Sequence, residues 1–251
     1  MKKLEEQIKH LNELISSLEK RLERVEAYIE IQNTMSRYEY YHTADRQEEV
    51  VELFSKKTSD VSVEIDDWGV YQGVGGIKKM FLGIHRLGGE EMRIGTLFIH
   101  TLTTPLIEVA KDCKTAKALW FSPGVETIRD REGNLISCWA WLKYGIDFVK
   151  ENGKWKIWHF KMYPIFLTPY NKSWVEESRP ETGTLPFQVP EHLKPDRPTT
   201  YYWEYSPTAK TENIPPPPEP YEKWDGKSVA FPLEHVPPPK FINSHRDEDS
   251  V

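Results

Sequence analysis

Residues 40–45 read YYHTAD, inside the longer run SRYEYYHTADRQEEVVELF. Tyr38, Tyr40, Tyr41, His42 and Asp45 stand where a core helix would carry aliphatic side chains. Such groups lie either on a solvated face or in a cavity, where phenols donate hydrogen bonds and imidazoles and carboxylates move protons. Tyr40 precedes Asp45 by five residues, about 1.4 turns, which leaves both on roughly one side of a helix. Further along, period-2 alternation in CWAWLKYGIDF puts Trp139, Trp141, Lys143 and Gly145 on one strand face, with Leu142, Tyr144 and Ile146 on the other. A lysine on a tryptophan-bearing face is either a pocket cation for a phenolate or enolate, or a rim lysine guarding a sheet edge. In KWKIWHFKMYPIF, Trp155, Ile157, His159, Lys161 and Tyr163 share one face, which makes His159 and Lys161 candidates for a pocket mouth; Trp158, Phe160 and Met162 share the other. No two histidines have H-x-x-x-H spacing, so no metal site is expected. The G-x-S-x-G elbow and the G-x-G-x-x-G nucleotide loop are both absent.

The elements that must position these groups follow from periodicity. Residues 1–31 hold a heptad with Ile8, Ile15, Leu22 and Ile29 at a and Leu4, Leu11, Leu18 and Val25 at d. Mostly Ile at a with mostly Leu at d favours a two-stranded parallel coiled coil; the alternative is a long helix laying its seam on its own or a neighbouring domain. Either way association follows, as a dimer or a trimer. A second helical segment spans about Tyr28 to Phe54, and VSVEID (61–66) alternates like a half-buried strand. In DWGVYQGVGGIKKMFLGIHR the glycines at 73, 75 and 76 suggest a turn, followed by helical spacing of Ile77, Met80, Phe81 and Ile84. From residue 92 four long strands are separated by the turn signals KDC, DREGN and KENGK, and Pro123 suggests a break or bulge that opens the pocket edge. The reading is an α+β fold in three parts: a heptad helix at 1–27, a curved, mostly antiparallel sheet wrapped on helices at 28–169, and an extended proline- and aromatic-rich arm at 170–251. The last ten residues, INSHRDEDSV, are expected to be disordered.

Four phrases in order carry a resemblance: YYHTADRQEEVVELF, YQGVGGIKKMF, IHTLTTPLIEV and YGIDFVKENGKWKIWHF. Over residues 20–165 the chain resembles the nuclear transport factor 2-like superfamily in its SnoaL-like branch. Members include scytalone dehydratase, a bile-acid dehydratase, a diarylpropane lyase, isomerases, cyclases and non-catalytic subunits. The resemblance implies a cone-shaped barrel with one deep pocket, and no cofactor. It also implies that Asp45 pairs with His100 on a facing strand, with Tyr40, or Tyr38 or Tyr41 in its place, donating to the substrate oxygen. Where the bile-acid dehydratase pattern has a further acid, this chain departs from it, with Gly124 near that place and Glu126 two residues on.

Nine tryptophans, many on the strands of the expected pocket wall, favour a flat apolar ligand. The resulting expectation is a cofactor-independent lyase, by dehydration or retro-aldol-type cleavage of an aromatic or polycyclic small molecule. His100 is the general base oriented by Asp45, Tyr40 and Lys143 stabilise the oxyanion, and Tyr38, Tyr41, Trp68, Trp120, Glu126, Trp141, His159 and Lys161 contact the substrate. An isomerase or cyclase with the same pocket, or a non-catalytic binding or assembly subunit, are the alternatives. A net charge of −6 with interspersed signs argues against a nucleic-acid partner. The apolar stretches are too short to cross a membrane. With no apolar leader after Lys2 and Lys3, and two cysteines without C-x-x-C, a cytoplasmic protein with reduced thiols is expected.

Overall fold

In the computed structural model, which describes residues 1–130, 132–179, 189–211 and 213–231, the first helix α1 runs unbroken from Lys2 to Thr43. It has two apolar faces. The heptad residues from Leu4 to Ile29 are each at least half exposed, whereas Ala27, Ile31, Met35 and Tyr38 are buried in the core. The seam therefore does not lie on its own domain. The expected second helix is split: Asp45 has φ 56, a left-handed conformation that Asp tolerates better than most residues, and the chain restarts as α2 (Gln47–Leu53).

Strands β1 (Ser62–Ile65) and β2 (Val70–Gln72) form a short antiparallel pair. Helix α3 (Gly73–Lys78) starts on the glycines expected to form a turn, then widens over Lys79–Gly83 and tightens over Ile84–Arg86. A Cβ at Gly76 would lie 2.6 Å from the backbone carbon of Tyr71, so glycine is what lets helix and strand approach. Strands β3 (Leu97–His100), β4 (Thr103–Val109), β5 (Thr115–Arg129), β6 (Leu135–Glu151) and β7 (Lys154–Pro169) complete the sheet. Its order is β2-β1-β7-β6-β5-β3, with β4 also on β5; β1 runs parallel to β7 and the other described pairs are antiparallel.

Pro123 does not break β5. The interruption falls on the facing chain, where β3 ends and β4 begins, and Thr101 donates from both N and Oγ1 to the Pro123 carbonyl. Two register shifts between β6 and β7 matter more. Asp147 pairs with His159 but Phe148 with Ile157, so Trp158 is an extra residue in β7. That bulge reverses the alternation: Trp155 and Ile157 join Phe160 in the core, while His159, Lys161 and Tyr163 face outward opposite Asp147, Gly145 and Lys143.

The outer face is covered by the arm. Thr200 donates from N and Oγ1 to the buried carboxylate of Glu64, which also receives Lys161 Nζ at 2.5 Å. Ser228 Oγ and Val229 N donate to Asp147, and the Tyr163 hydroxyl donates to the carbonyls of Val229 and Ala230. A Cβ at Gly145 would lie 2.5 Å from the Val229 carbonyl oxygen. The described arm holds no strand and only short turns, at 170–177, 206–209 and Glu191–Leu193; the PPP run at 237–239 and the final ten residues lie outside the described residues. Cys113 and Cys138 are free and buried. Among the described residues no helix is long and apolar enough to cross a membrane.

Candidate active site

The inner face of the sheet and the helices enclose a cavity of about 570 Å³. The end of α1 contributes Tyr38 and His42, and the break after it Asp45; the turn after α3 contributes His85; and strands β3, β5, β6 and β7 supply the facing wall. Strand register explains the central pair. His100 lies opposite Gly124 and Phe98 opposite Glu126, so His100 and Glu126 leave the same face on a diagonal, with His100 Nε2 3.4 Å from Glu126 Oε1. Gly124 permits this closeness: a Cβ there would sit 2.1 Å from the Ile99 carbonyl oxygen.

Burial drives the two groups in opposite directions. His100 falls to about 3, with His42 nearby adding to the effect, and its Nδ1 is buried without a hydrogen-bond partner among the described residues. Glu126 rises to about 7, first through burial and then through Asp66, against the pull of Arg179. Near neutrality the imidazole is uncharged and the carboxyl is the member poised to exchange a proton.

A second imidazole group lies beside them. The Gln47 amide approaches His42 Nδ1 at 3.4 Å, the His42 ring stacks on Tyr38 at 5.6 Å, and His85 meets His42 edge-on at 5.0 Å. Burial lowers both histidines, His85 strongly, and raises the Tyr38 phenol, so these groups serve as neutral hydrogen-bonding partners. Charge in the wall comes in pairs. Asp45 is ion-paired with Arg93. Asp66 takes both ends of the Arg179 guanidinium, with Nη1 at 3.2 Å from Oδ1; burial raises it to about 6 while Arg179 opposes the rise. Arg129 donates to the carbonyls of Met92, Gly133 and Ile94 at 3.1, 2.6 and 2.6 Å, tying the cavity-lining loop at 92–94 to β5. Among the described residues no group of three or more His, Cys, Asp or Glu side chains is placed to hold a metal.

The SnoaL-like domain is matched over residues 23–161, more than half of the chain. The chain belongs to the SnoaL-like family. Among solved structures similar to this SnoaL-like protein, hexachlorocyclohexane dehydrochlorinase LinA type 2 aligns with TM-score 0.50 and 16% identity, covering 61% of this chain and 95% of that one. A LinA-type3 dehydrochlorinase from Novosphingobium barchaimii LL02 gives 0.49 and 17%, covering 61% and 96%. An NTF2-like protein with a cystatin-like fold from Novosphingobium aromaticivorans gives 0.43 and 18%, covering 62% and 90%. At these identities the likeness is one of fold. No curated protein matches the sequence at a significant level.

In this SnoaL-like protein, Tyr38, Asp45, Trp68, His100, Glu126 and Trp141 all line the cavity. Asp45 and His100 share it without partnering each other: the break at Asp45 gives its carboxylate to Arg93, and His100 faces Glu126. The other expected positions differ. Tyr40 is 79% exposed, because α1 turns its Tyr38 side, not its Tyr40 side, to the core. Tyr41 packs on the edge of the core with the Arg46 guanidinium 5.0 Å above its ring. Trp120 is in the core and donates Nε1 to Gln32 at 3.0 Å. Lys143, His159 and Lys161 are on the outer face, where neighbouring strands and the arm supply partners: Lys143 donates to the Ile214 carbonyl of the arm, His159 Nδ1 is 2.8 Å from Asp147 on β6, and Lys161 binds Glu64 on β1 and Thr200 of the arm.

His85 is outside the expected site residues, and His42 stands among the ionisable groups of YYHTAD without an expected role in catalysis or substrate contact. His42 stood in YYHTAD four residues after Tyr38, and His85 follows Phe81 by four in the helical spacing, so both had a periodic signal. Asp66, Arg93 and Arg179 had none, since their places depend on loops closing over the sheet.

Proposed function

We propose that this protein is a cofactor-independent lyase that eliminates water, or cleaves by a retro-aldol-type step, from an aromatic or polycyclic small molecule. The observation that carries the reading is the buried Glu126–His100 pair facing an apolar, aromatic cavity of about 570 Å³. The reaction class follows from the family resemblance, and the assignment of roles from the site. Glu126 as carboxylate takes a proton from carbon beside a carbonyl or ring, and the bonding pair forms the new double bond as the carbon–oxygen bond breaks. The pair then returns that proton to the leaving oxygen, which departs as water, so no external acid is consumed. Neutral His100 holds the carboxylate in place, and Tyr38 with the neutral His42 and His85 hydrogen-bonds the substrate oxygen on which charge develops. Trp68, Trp141 and Phe166 offer flat apolar walls.

The test is a mass-spectrometric screen of hydroxylated phenolic and polycyclic compounds with the full chain. Loss of water or of a carbonyl fragment supports the lyase, and a product of unchanged mass makes the pocket an isomerase or cyclase. Turnover that survives undiminished in both Glu126→Gln and His100→Ala rules out the assigned roles.

A further inference from the structure

The eight seam residues of α1 are covered by nothing else in the described chain, although the helix continues directly into the core and the cavity wall. From Leu4 to Ile29 they form an apolar stripe about 38 Å long. Helices in proteins draw most of their stability from packing an apolar face, and an apolar stripe of this extent marks a contact surface. The opposite side is already occupied. Ala27 and Ile31 are buried in the domain, while Val25 and Ile29, each two positions away and about 200° around the helix, point to solvent. Glu23 also reaches back to Lys150 of its own domain at 3.0 Å. A partner on the seam therefore does not compete with the domain for the helix.

We propose that the occupant is the same seam of a second copy, paired parallel and in register as a two-stranded coiled coil with both domains at its C-terminal end. Ile stands at three of the four a positions and Leu at three of the four d positions, the choice that favours two parallel strands. The flanking charges select the orientation. The e positions are Glu5, Asn12, Glu19 and Glu26, and the g positions are Gln7, Leu14, Arg21 and Tyr28. In a parallel pair each g residue meets the following e residue of the other strand, which sets Arg21 against the partner's Glu26. In an antiparallel pair e meets e, which brings acidic positions together. Complementarity is thus satisfied by this chain itself, in one orientation.

Sedimentation equilibrium of the full chain should give twice 29.4 kDa. Leu11→Asp with Ile15→Asp should reduce it to one chain at the same concentration, with the cooperative unfolding of the domain retained. Leu4→Cys should cross-link two chains on mild oxidation, because only a parallel, in-register pair brings the two Leu4 positions together. Arg21→Glu should weaken association several-fold, and adding Glu26→Arg should restore it. A single-chain mass for the unmodified protein at a concentration on the order of tens of micromolar overturns the proposal. So does a trimer, a dimer indifferent to the seam substitutions, or a dimer in which Leu4→Cys fails to cross-link.

Discussion

Glu126 is a carboxyl held among apolar groups, with Asp66 close enough to discourage a second negative charge and Arg179 only partly offsetting this. Its proton affinity therefore lies near 7, where a group can both take and return a proton. If Glu126 is the base, turnover rises as pH passes upward through about 7, because only the ionised carboxylate accepts the proton. Glu126→Gln should remove that limb and lower kcat by about a hundredfold to ten-thousandfold. His100, lowered to about 3, contributes no limb between pH 5 and 8 on the order of the usual assay range, so His100→Ala should lower kcat without moving the profile. Asp45→Asn, which removes the counter-ion of Arg93, should leave the limb in place; an abolished limb would return Asp45 to the proton path. At this scale the sequence exposed residue types, and His100 and Glu126 were both among the candidates. It could not pair them, since register and a helix break decide which neighbours meet.

Strand elements were legible from alternation and turn residues, yet two local events redirected the side chains. The extra residue Trp158 in β7 turns His159 and Lys161 away from the cavity, and nothing in KWKIWHFKMYPIF distinguishes a bulged strand from a regular one. Gly124 marks the second event, the close approach of β3. Gly124→Ala forces its new Cβ against the Ile99 carbonyl, so both thermal stability and activity should fall as His100 is displaced from Glu126. Retention of both would mean that β3 can shift freely. On the outer face, Lys161→Met leaves the Glu64 carboxylate buried with only Thr200 to bind it, and should cost about 3–5 kcal/mol in denaturant unfolding. Replacing Glu64 as well, in Glu64→Leu with Lys161→Met, should recover much of that loss, because the uncompensated charge is gone.

For the molecule as a whole, Glu39 is an internal strain on stability. It is 7% exposed, and burial raises it from 4.5 to about 8, with the neighbouring Tyr144 hydroxyl offsetting only part of the rise. A carboxyl raised in the folded state favours folding fully below its unfolded value, and that advantage is lost as pH rises through the folded value. Between about 4.5 and 8 the folded protein should therefore weaken by roughly 1 kcal/mol per pH unit from this group. Glu39→Gln should raise Tm relative to the parent protein at pH 8, on the order of the shift expected for a few kcal/mol, with the difference vanishing at pH 4. Equal Tm values at both pH values would place Glu39 in a wetter setting than its burial indicates.

The sequence alone determined the α+β order of elements, the heptad on the first helix, the aromatic arm after Pro169 and the family, because periodicity and turn residues are local properties of a chain. Only the tertiary structure decided that the seam faces solvent, that the arm and the neighbouring strands hold Lys143, His159 and Lys161 on the outer face, and that Glu126 rather than Asp45 meets His100. The last two outcomes rest on one extra strand residue, one left-handed aspartate and one glycine opposite a histidine, whose effects appear only when the sheet closes around its cavity.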